Sequence, residues 1–199
     1  DVAAAIVNAQ IKGTPEFGGD YPAIMPLMPS GETAGAPHLT WNDSRYPDNM
    51  SMYIEIAGCH NRYHCPMSRT VCLGDPSPEI DKYAKVTIEG LQAALETIKP
   101  GNTCEQVEAA WRTTVAKYGV EKESRIGYST GLNYPPDWGE HTASLRPGDK
   151  TVLQPNMVFH CIPGMYYDDF GISISQCIRV TETGYERMSN FPFDLIVNK

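Results

Sequence analysis

The sequence predicts an α+β fold, in which strands and helices occupy separate stretches of the chain. Three observations predict it: a strand hairpin in the first half, two amphipathic helices in the middle, and strand patterns again in the last third. A chain of 199 residues is long enough for one sizeable domain, and two domains would be cramped. We therefore expect one domain.

The first part of the chain combines a helical start, a turn-rich segment and the hairpin. Asp1–Val7 has the pattern of the middle of a helix, and residues 13–49 are rich in Gly and Pro turns. A segment of that length without periodicity is usually functional. Met52–Ile56 predicts a strand and Thr70–Leu73 its partner, with turn residues at Gly58–Asn61.

The middle of the chain predicts two helices. In the first, apolar residues recur at three- and four-residue steps from Ile80 to Ile98, and a Pro-Gly pair ends it. In the second, Thr103 and Gln106 have the spacing of a capping box, and Gly119 ends the helix. We expect the apolar stripe of each helix to face the core.

The last third predicts strands again. Asn156–Ile162 is an apolar run closed by a Pro-Gly pair. Gly171–Val180 alternates apolar and polar residues over much of its length, which predicts one strand with one buried face. From Asn190 onward the pattern becomes irregular.

Composition and charge exclude several classes of protein. A net charge of -8 argues against a nucleic-acid partner, because phosphate binding needs a basic patch. The chain contains no run of eighteen apolar residues, so the sequence predicts no membrane-spanning helix. The six cysteines include no Cys-x-x-Cys pair, which speaks against structural zinc and favours reduced thiols in the cytoplasm. Because the chain opens at Asp1 inside a helical pattern, we expect it to be a piece of a longer polypeptide.

Two residues stand out as candidates for chemistry. Glu55 interrupts an apolar strand, so it is either a solvent-facing position or a partly buried carboxylate with a tuned pKa. If the alternation holds, Glu55 shares a face with Tyr53 and Ala57. His38 lies in a loop of small residues that has room for a ligand, although a plain surface histidine fits the same pattern.

The segment Gly127–His141 is dense in glycine, aromatic and acidic residues. That composition suits a binding loop in which Tyr128 or Trp138 holds a cation and Asp137 or Glu140 neutralises it, although an ordinary surface loop is the alternative. His160 lies inside an apolar strand, where a hydrogen-bonded core histidine is the default. Phosphate loops, dinucleotide fingerprints, nucleophile elbows and His-Glu-x-x-His motifs do not occur.

These segments, in this order, resemble the catalytic domain of the creatinase, aminopeptidase P and prolidase family, which has the pita-bread fold. The resemblance covers nearly the whole chain. Its anchors are Pro37–His38, Ser68–Thr70, Ile98–Gly101, Gly127–Leu132, Leu153–Val158, Pro163–Tyr166 and Val180–Gly184. It implies a curved, mostly antiparallel sheet with helices on its outer face.

The sequence departs from this family at the metal ligands. Metallopeptidases of the family hold two metal ions with two Asp, one His and two Glu. The five matching positions here are Glu55, Pro66, Tyr128, Ile162 and Ser175. One carboxylate cannot hold a dinuclear cluster, and two of the other side chains offer no donor atom. We therefore expect no metal ion and no other cofactor.

The resemblance therefore implies a metal-independent, creatinase-like hydrolase. Glu16–Pro22, Pro37–Trp41 and Tyr134–Glu140 look like a family member that opens a cyclic amidine, so we expect a small zwitterionic substrate. Glu55 and His38 are the predicted catalytic residues, with Glu55 pairing with the amidinium and His38 moving protons. The predicted substrate contacts are Tyr53, Arg69, Tyr128, Asp137, Trp138, Glu140 and His160.

Arg69 is open to two interpretations, because its place in the family motif equally allows a structural role. The resemblance also implies that residues 1–199 are a single C-terminal catalytic domain, preceded by the protein's own N-terminal domain, in a homodimer. Two alternatives remain: an Xaa-Pro peptidase with unorthodox metal ligands, and a non-catalytic binding protein.

Overall fold

The computed structural model describes all 199 residues and has three helices and ten strands. None of its helices is both long enough and apolar enough to cross a bilayer. The helices are α1 (Val2–Lys12), α2 (Pro78–Thr97) and α3 (Cys104–Ala116). The strands are β1 (Met50–His60), β2 (Tyr63–Leu73), β3 (Gly127–Thr130), β4 (Gly139–Leu145), β5 (Val158–Cys161), β6 (Met165–Tyr166), β7 (Gly171–Ile172), β8 (Gln176–Val180), β9 (Tyr185–Arg187) and β10 (Ile196–Asn198).

The strands form two principal sheets that are almost entirely antiparallel. One sheet has the order β1-β2-β10 and the other β4-β3-β5-β8-β9, while β6 and β7 form a separate pair. Only β10 runs parallel to its neighbour, β2. The predicted hairpin is confirmed, although β1 and β2 are longer than expected because pairing continues to His60 and Tyr63.

Helices α2 and α3 cover one face of the five-stranded sheet and bury the main core. Leu91 of α2 and Trp111 of α3 pack in one cluster with Leu145, Phe159 and Ile178 of the sheet, and all are essentially inaccessible to solvent. The predicted capping interaction is present, since the Thr103 N–H donates to Gln106 Oε1 at 2.8 Å. The α+β class and the helix positions are therefore confirmed.

The prediction of one half-buried strand over Gly171–Val180 is wrong. The segment divides into β7 and β8, and its polar residues Ser173, Ser175 and Gln176 are as buried as its apolar ones. The residues between these strands turn toward β2 instead. There the Ser68 N–H donates to Ser175 Oγ at 2.7 Å, and the Ser175 N–H donates to Ser68 O at 3.1 Å. These bonds join the two sheets, which explains the burial of both faces.

The predicted binding loop Gly127–His141 is only partly a loop. Its ends are β3 and the start of β4, which pair with each other, and only residues 131–138 connect them. In β5, Phe159 and Cys161 face the helices, so His160 between them faces the opposite side of the sheet. Tyr128 pairs with His160 in the register and shares that side. The candidate site lies there.

Candidate functional site

A cavity of about 220 Å³ lies where the two sheets meet, on the side away from the helices. Four parts of the chain contribute to it: the loop before β1, the middle of β1, the segment leading into β3, and the turn between β5 and β6. Its lining residues are Pro37, His38, Glu55, Lys122, Ser124, Arg125, Tyr128, Ile162 and Tyr166. It brings together both predicted catalytic residues.

Glu55 is a buried carboxylate in the middle of β1. Its backbone pairs with Ser68 on one side and with Leu27 on the other, so the strand cannot turn this side chain outward. Glu55 is 5% exposed, and Tyr53 and Ala57 on the same face are fully buried. Burial raises the pKa of Glu55 to about 7. The interpretation of Glu55 as a buried carboxylate is therefore confirmed.

Two cationic side chains share the cavity with Glu55. The Lys122 Nζ donates to Gly164 O at 2.6 Å, and burial lowers the pKa of this amine to about 8. The Arg125 guanidinium stacks over the Tyr128 ring at 4.5 Å. Sequence reasoning missed both cations, because neither belongs to a motif or to a periodic pattern.

Tyr128 begins a hydrogen-bonded row that leads away from the cavity. Its hydroxyl accepts from Trp138 Nε1 at 2.7 Å and lies 2.9 Å from His160 Nδ1. His160 Nε2 lies 2.7 Å from Ser175 Oγ. Burial lowers the pKa of His160 to about 3, so its imidazole is neutral at physiological pH. We refer to Tyr128, His160 and Ser175 as the hydroxyl–imidazole row.

His38 lies at the mouth of the cavity. Its backbone has a positive φ of 68°, a conformation in which non-glycine residues are uncommon. Its side chain is exposed and yet lines the same cavity as Glu55. The loop therefore places His38 and Glu55 at the same cavity, and the catalytic role of His38 stays a prediction.

Three predicted substrate contacts lie behind the cavity wall. Tyr53 is fully buried, with its ring 5.6 Å from that of Tyr166, which lines the cavity in its place. Trp138 and His160 contact Tyr128 from behind and do not reach the cavity. We therefore correct their assignment: these side chains support the residues that line the cavity.

Three other predicted contacts lie away from the cavity. The Asp137 carboxylate accepts from the Gly139 N–H at 2.9 Å and pairs with His141 at 2.8 Å. Glu140 is exposed on β4. Arg69 is buried, and its guanidinium donates to four backbone carbonyls, those of Ser68, Ser175, Phe191 and Pro192. These four bonds connect segments of the backbone, which supports the structural role of Arg69 over substrate binding.

The residues present do not fit the two-metal centre of the peptidases. Of the five matching positions, Glu55, Tyr128 and Ile162 line the cavity, but Ile162 has no donor atom and Pro66 has none either. The Ser175 hydroxyl is engaged by Ser68 and His160. No three His, Cys, Asp or Glu side chains converge to hold a metal ion. The donor chemistry for a dinuclear cluster is missing.

Comparison with known proteins identifies the family. The model of metallopeptidase family M24 matches residues 1–182. The ectoine hydrolase of Halomonas elongata is 47% identical over 182 residues, which are 91% of this chain and 46% of that protein. An uncharacterized hydrolase/peptidase of Sinorhizobium fredii is 45% identical over 99% of this chain and 50% of its own length. The chain spans about half the length of these relatives.

Solved structures agree with the fold. The prolidase of Thermococcus sibiricus superimposes with a TM-score of 0.86 at 26% identity, covering 99% of this chain and 52% of that one. The dipeptidase PepE of Mycobacterium ulcerans superimposes with a TM-score of 0.85 at 27% identity, over 98% of this chain and 51% of that one. The fold and site therefore define a domain of the pita-bread class. The chain belongs to metallopeptidase family M24, as the resemblance to creatinase, aminopeptidase P and prolidase predicts.

Proposed function

We propose that the complete polypeptide hydrolyses the cyclic amidine ring of ectoine, and that it does so without a metal ion. The observation that carries the proposal is the buried Glu55 carboxylate, which faces a small cavity where a metal cluster lacks its ligands. The 47% identity to an ectoine hydrolase supports this substrate.

The charges of the cavity complement those of ectoine, a zwitterion with an amidinium ring and a carboxylate. Glu55 offers the negative partner for the amidinium, and Lys122 and Arg125 offer positive partners for the carboxylate. The predicted carboxylate contact, Arg69, already makes four hydrogen bonds to backbone carbonyls. We therefore transfer that role to Arg125 and Lys122.

The reaction adds one water across the amidinium and breaks one ring C–N bond, which yields N-acetyl-diaminobutyrate. The Glu55 carboxylate either attacks the electrophilic carbon itself or removes a proton from the water that attacks it. His38 then gives a proton to the departing nitrogen, a role for which a histidine side chain is suited. The burial of Glu55 limits the access of bulk water to these groups.

The second candidate is an Xaa-Pro peptidase, and the solved prolidases with the same fold favour it. The two proposals differ in their dependence on metal. A peptidase needs tightly bound manganese, zinc or cobalt, whereas the proposed hydrolase keeps its activity in a chelator. Elemental analysis of the purified complete polypeptide separates them.

The test is an NMR time course of ectoine mixed with the complete polypeptide, with and without a chelator. We expect ring opening at the same rate in both samples. Glu55→Gln should lower the rate by about 10²–10⁴-fold, because it removes the base or nucleophile. Glu186→Gln is the matched control, since Glu186 is an exposed carboxylate paired with Arg179. Full activity in Glu55→Gln, or loss of activity in the chelator, contradicts the proposal.

The predicted homodimer and N-terminal domain stay predictions. Both bear on the design of this test, because a neighbouring subunit or domain can complete a pocket at the edge of a catalytic domain. The complete polypeptide is therefore the protein to assay, and its mass in solution, measured by light scattering, tests the dimer.

A further inference from the structure

The side chains that hydrogen-bond to Tyr128, directly or through a neighbour, are all buried. His160 and Ser175 are fully inaccessible, and Trp138 is 1% exposed. Water therefore cannot complete their hydrogen bonds, and each polar hydrogen needs a protein acceptor. The Ser175 Oγ has two hydrogen-bond partners, the Ser68 N–H and His160 Nε2. We therefore assign the direction of each hydrogen bond by asking which arrangement gives every hydrogen of these side chains an acceptor.

A neutral imidazole carries one N–H, so the row has two possible arrangements. In the first, Tyr128 donates to His160 Nδ1, and His160 Nε2–H donates to Ser175 Oγ. Ser175 would then accept two hydrogen bonds, and its own hydroxyl hydrogen would be buried without an acceptor. An unsatisfied buried donor costs about 1–3 kcal/mol.

In the second arrangement the side-chain hydrogens of Ser175, His160 and Trp138 each have an acceptor. Ser175 accepts from the Ser68 N–H and donates to His160 Nε2, and His160 Nδ1–H donates to the Tyr128 oxygen. The Tyr128 oxygen then accepts two bonds, since the Trp138 Nε1–H is the other donor. The hydroxyl hydrogen of Tyr128 then has no acceptor among these side chains, so it points into the cavity that Tyr128 lines.

We propose that His160 and Ser175 are positioning residues that make the Tyr128 hydroxyl an obligatory hydrogen-bond donor into the cavity. This inference rests on the proposed function for the identity of its acceptor. The amidinium itself has no free lone pair, so the acceptor is the added oxygen or the departing ring nitrogen, which gains a lone pair as the carbon becomes tetrahedral. Burial and the nearby Glu55 charge raise the pKa of Tyr128 well above its usual range, so the hydroxyl keeps its proton. It therefore acts by hydrogen bonding, at a position that the peptidases use for a metal-binding histidine.

A donor held in place before the reaction stabilises an acceptor whose lone pair develops only in the transition state, and losing one such donor typically costs about 10²–10³-fold in kcat. We expect Tyr128→Phe to lower kcat by this factor with a smaller change in KM. Because Tyr128→Phe also removes the acceptor for Trp138 and His160, a second variant is needed that leaves the cavity wall intact.

Ser175→Ala is that variant, since Ser175 does not line the cavity. Without the Ser175 hydroxyl, His160 is free to take the other tautomer and accept the Tyr128 hydrogen. We expect a fall of about tenfold or more in kcat with KM nearly unchanged. Ser129→Ala is the matched control, because Ser129 is a buried serine with two hydrogen bonds to the opposite strand. It should retain the kcat of the unmodified protein.

The direct measurement is the tautomer of His160 in the complete polypeptide without substrate, read from histidine ring ¹⁵N shifts and long-range ¹H–¹⁵N couplings. A proton on Nδ1 is expected, and a shift of population toward Nε2 in Ser175→Ala. A proton on Nε2 in the unmodified protein overturns the proposal, as does an equal loss of kcat in Ser129→Ala.

This measurement separates the two proposals. If His160 carries its proton on Nδ1 and ectoine is not hydrolysed, the proposed function fails and the arrangement of the row stands. If ectoine is hydrolysed and His160 carries its proton on Nε2, the proposed function stands and the role of His160 and Ser175 fails.

Discussion

Glu55 and Arg69 are two buried charged residues on the same hairpin, and the fold treats them in opposite ways. They lie on adjacent strands, where Glu55 is paired with Ser68, the residue before Arg69. Their exposed fractions are 5% and 3%. Arg69 donates to four backbone carbonyls, whereas burial alone sets the pKa shift of Glu55 and no hydrogen bond opposes it.

This difference separates a structural charge from a functional one. A buried ion whose hydrogen bonds are all made within the fold holds segments together and has nothing left for a ligand. A buried ion without such bonds is costly to the fold, and a ligand of opposite charge removes that cost. Arg69 ties β2 to the segment before β8 and to the C-terminal tail, and Glu55 is left for the cavity.

Replacing Arg69 should destabilise the fold more than any of the other substitutions that we propose. Arg69→Met would remove one hydrogen bond from each of four carbonyls and the stacking of the guanidinium against Phe191 and Phe193. Ser68 O would keep the Ser175 N–H as a donor, and Phe191 O would keep Arg187. We expect a loss of about 3–5 kcal/mol in the free energy of unfolding, measured by urea denaturation. Arg179→Met is the control, because Arg179 forms an exposed ion pair, and it should cost less than about 1 kcal/mol.

An Arg69→Met protein that is as stable as the Arg179→Met control would contradict the structural assignment. If it also bound ectoine more weakly, the original interpretation of Arg69 as a carboxylate contact would be restored.

A smaller effect is expected in the pH dependence of stability, at Glu55. Its pKa is about 7 in the folded protein and near 4.5 in the unfolded chain, so between these values the folded state binds more protons. Stability therefore falls as pH rises from about 4.5 to 7. Glu55→Gln abolishes this contribution, and its stability relative to the unmodified protein should increase across that window by up to about 3 kcal/mol and then level off.

Urea denaturation at several pH values measures this difference, with Glu186→Gln as an exposed control. If the stabilities of Glu55→Gln and the unmodified protein changed in parallel with pH, the ionised Glu55 carboxylate would not destabilise the fold. Glu55 would then not differ from Arg69 in this respect.

The hairpin shows what local pattern can and cannot predict. Alternation along β1 was sufficient to place Glu55 beside Tyr53 and Ala57, because side-chain direction in a strand depends only on position. The helix boundaries followed from apolar spacing and capping residues in the same way. The division of Gly171–Val180 into two strands could not be predicted, because Ser173 and Ser175 are hydrogen-bonded to β2, more than 100 residues away in the chain.

The cations of the site escaped sequence reasoning for the same physical reason. Lys122 and Arg125 lie in a charged connection that reads as solvated surface, and only the packing of β3 against β5 brings this connection to the cavity. Arg69 was the more conspicuous arginine because it belongs to a family motif. Its hydrogen bonds to Phe191 and Pro192 depend on the path of the tail, which has no periodic pattern.

Arg125 is a third charged residue near the hairpin, and its replacement should have a more modest effect than the changes at Arg69 and Glu55. Its guanidinium lines the cavity and stacks on Tyr128, and its one side-chain hydrogen bond, to Ser144 Oγ at 3.4 Å, is long. If a charged residue with unused donors is reserved for a ligand, Arg125→Met should raise the KM for ectoine by about 10–100-fold, the value of one charge-assisted hydrogen bond.

The same substitution should change kcat and the free energy of unfolding little, because it leaves no buried carbonyl without a donor. Arg146→Met, at an exposed arginine outside the cavity, is the matched control and should leave KM unchanged. A large loss of stability in Arg125→Met with an unaltered KM would place Arg125 with Arg69 among the structural charges. The carboxylate of the substrate would then have to be bound by Lys122, the other cation of the cavity.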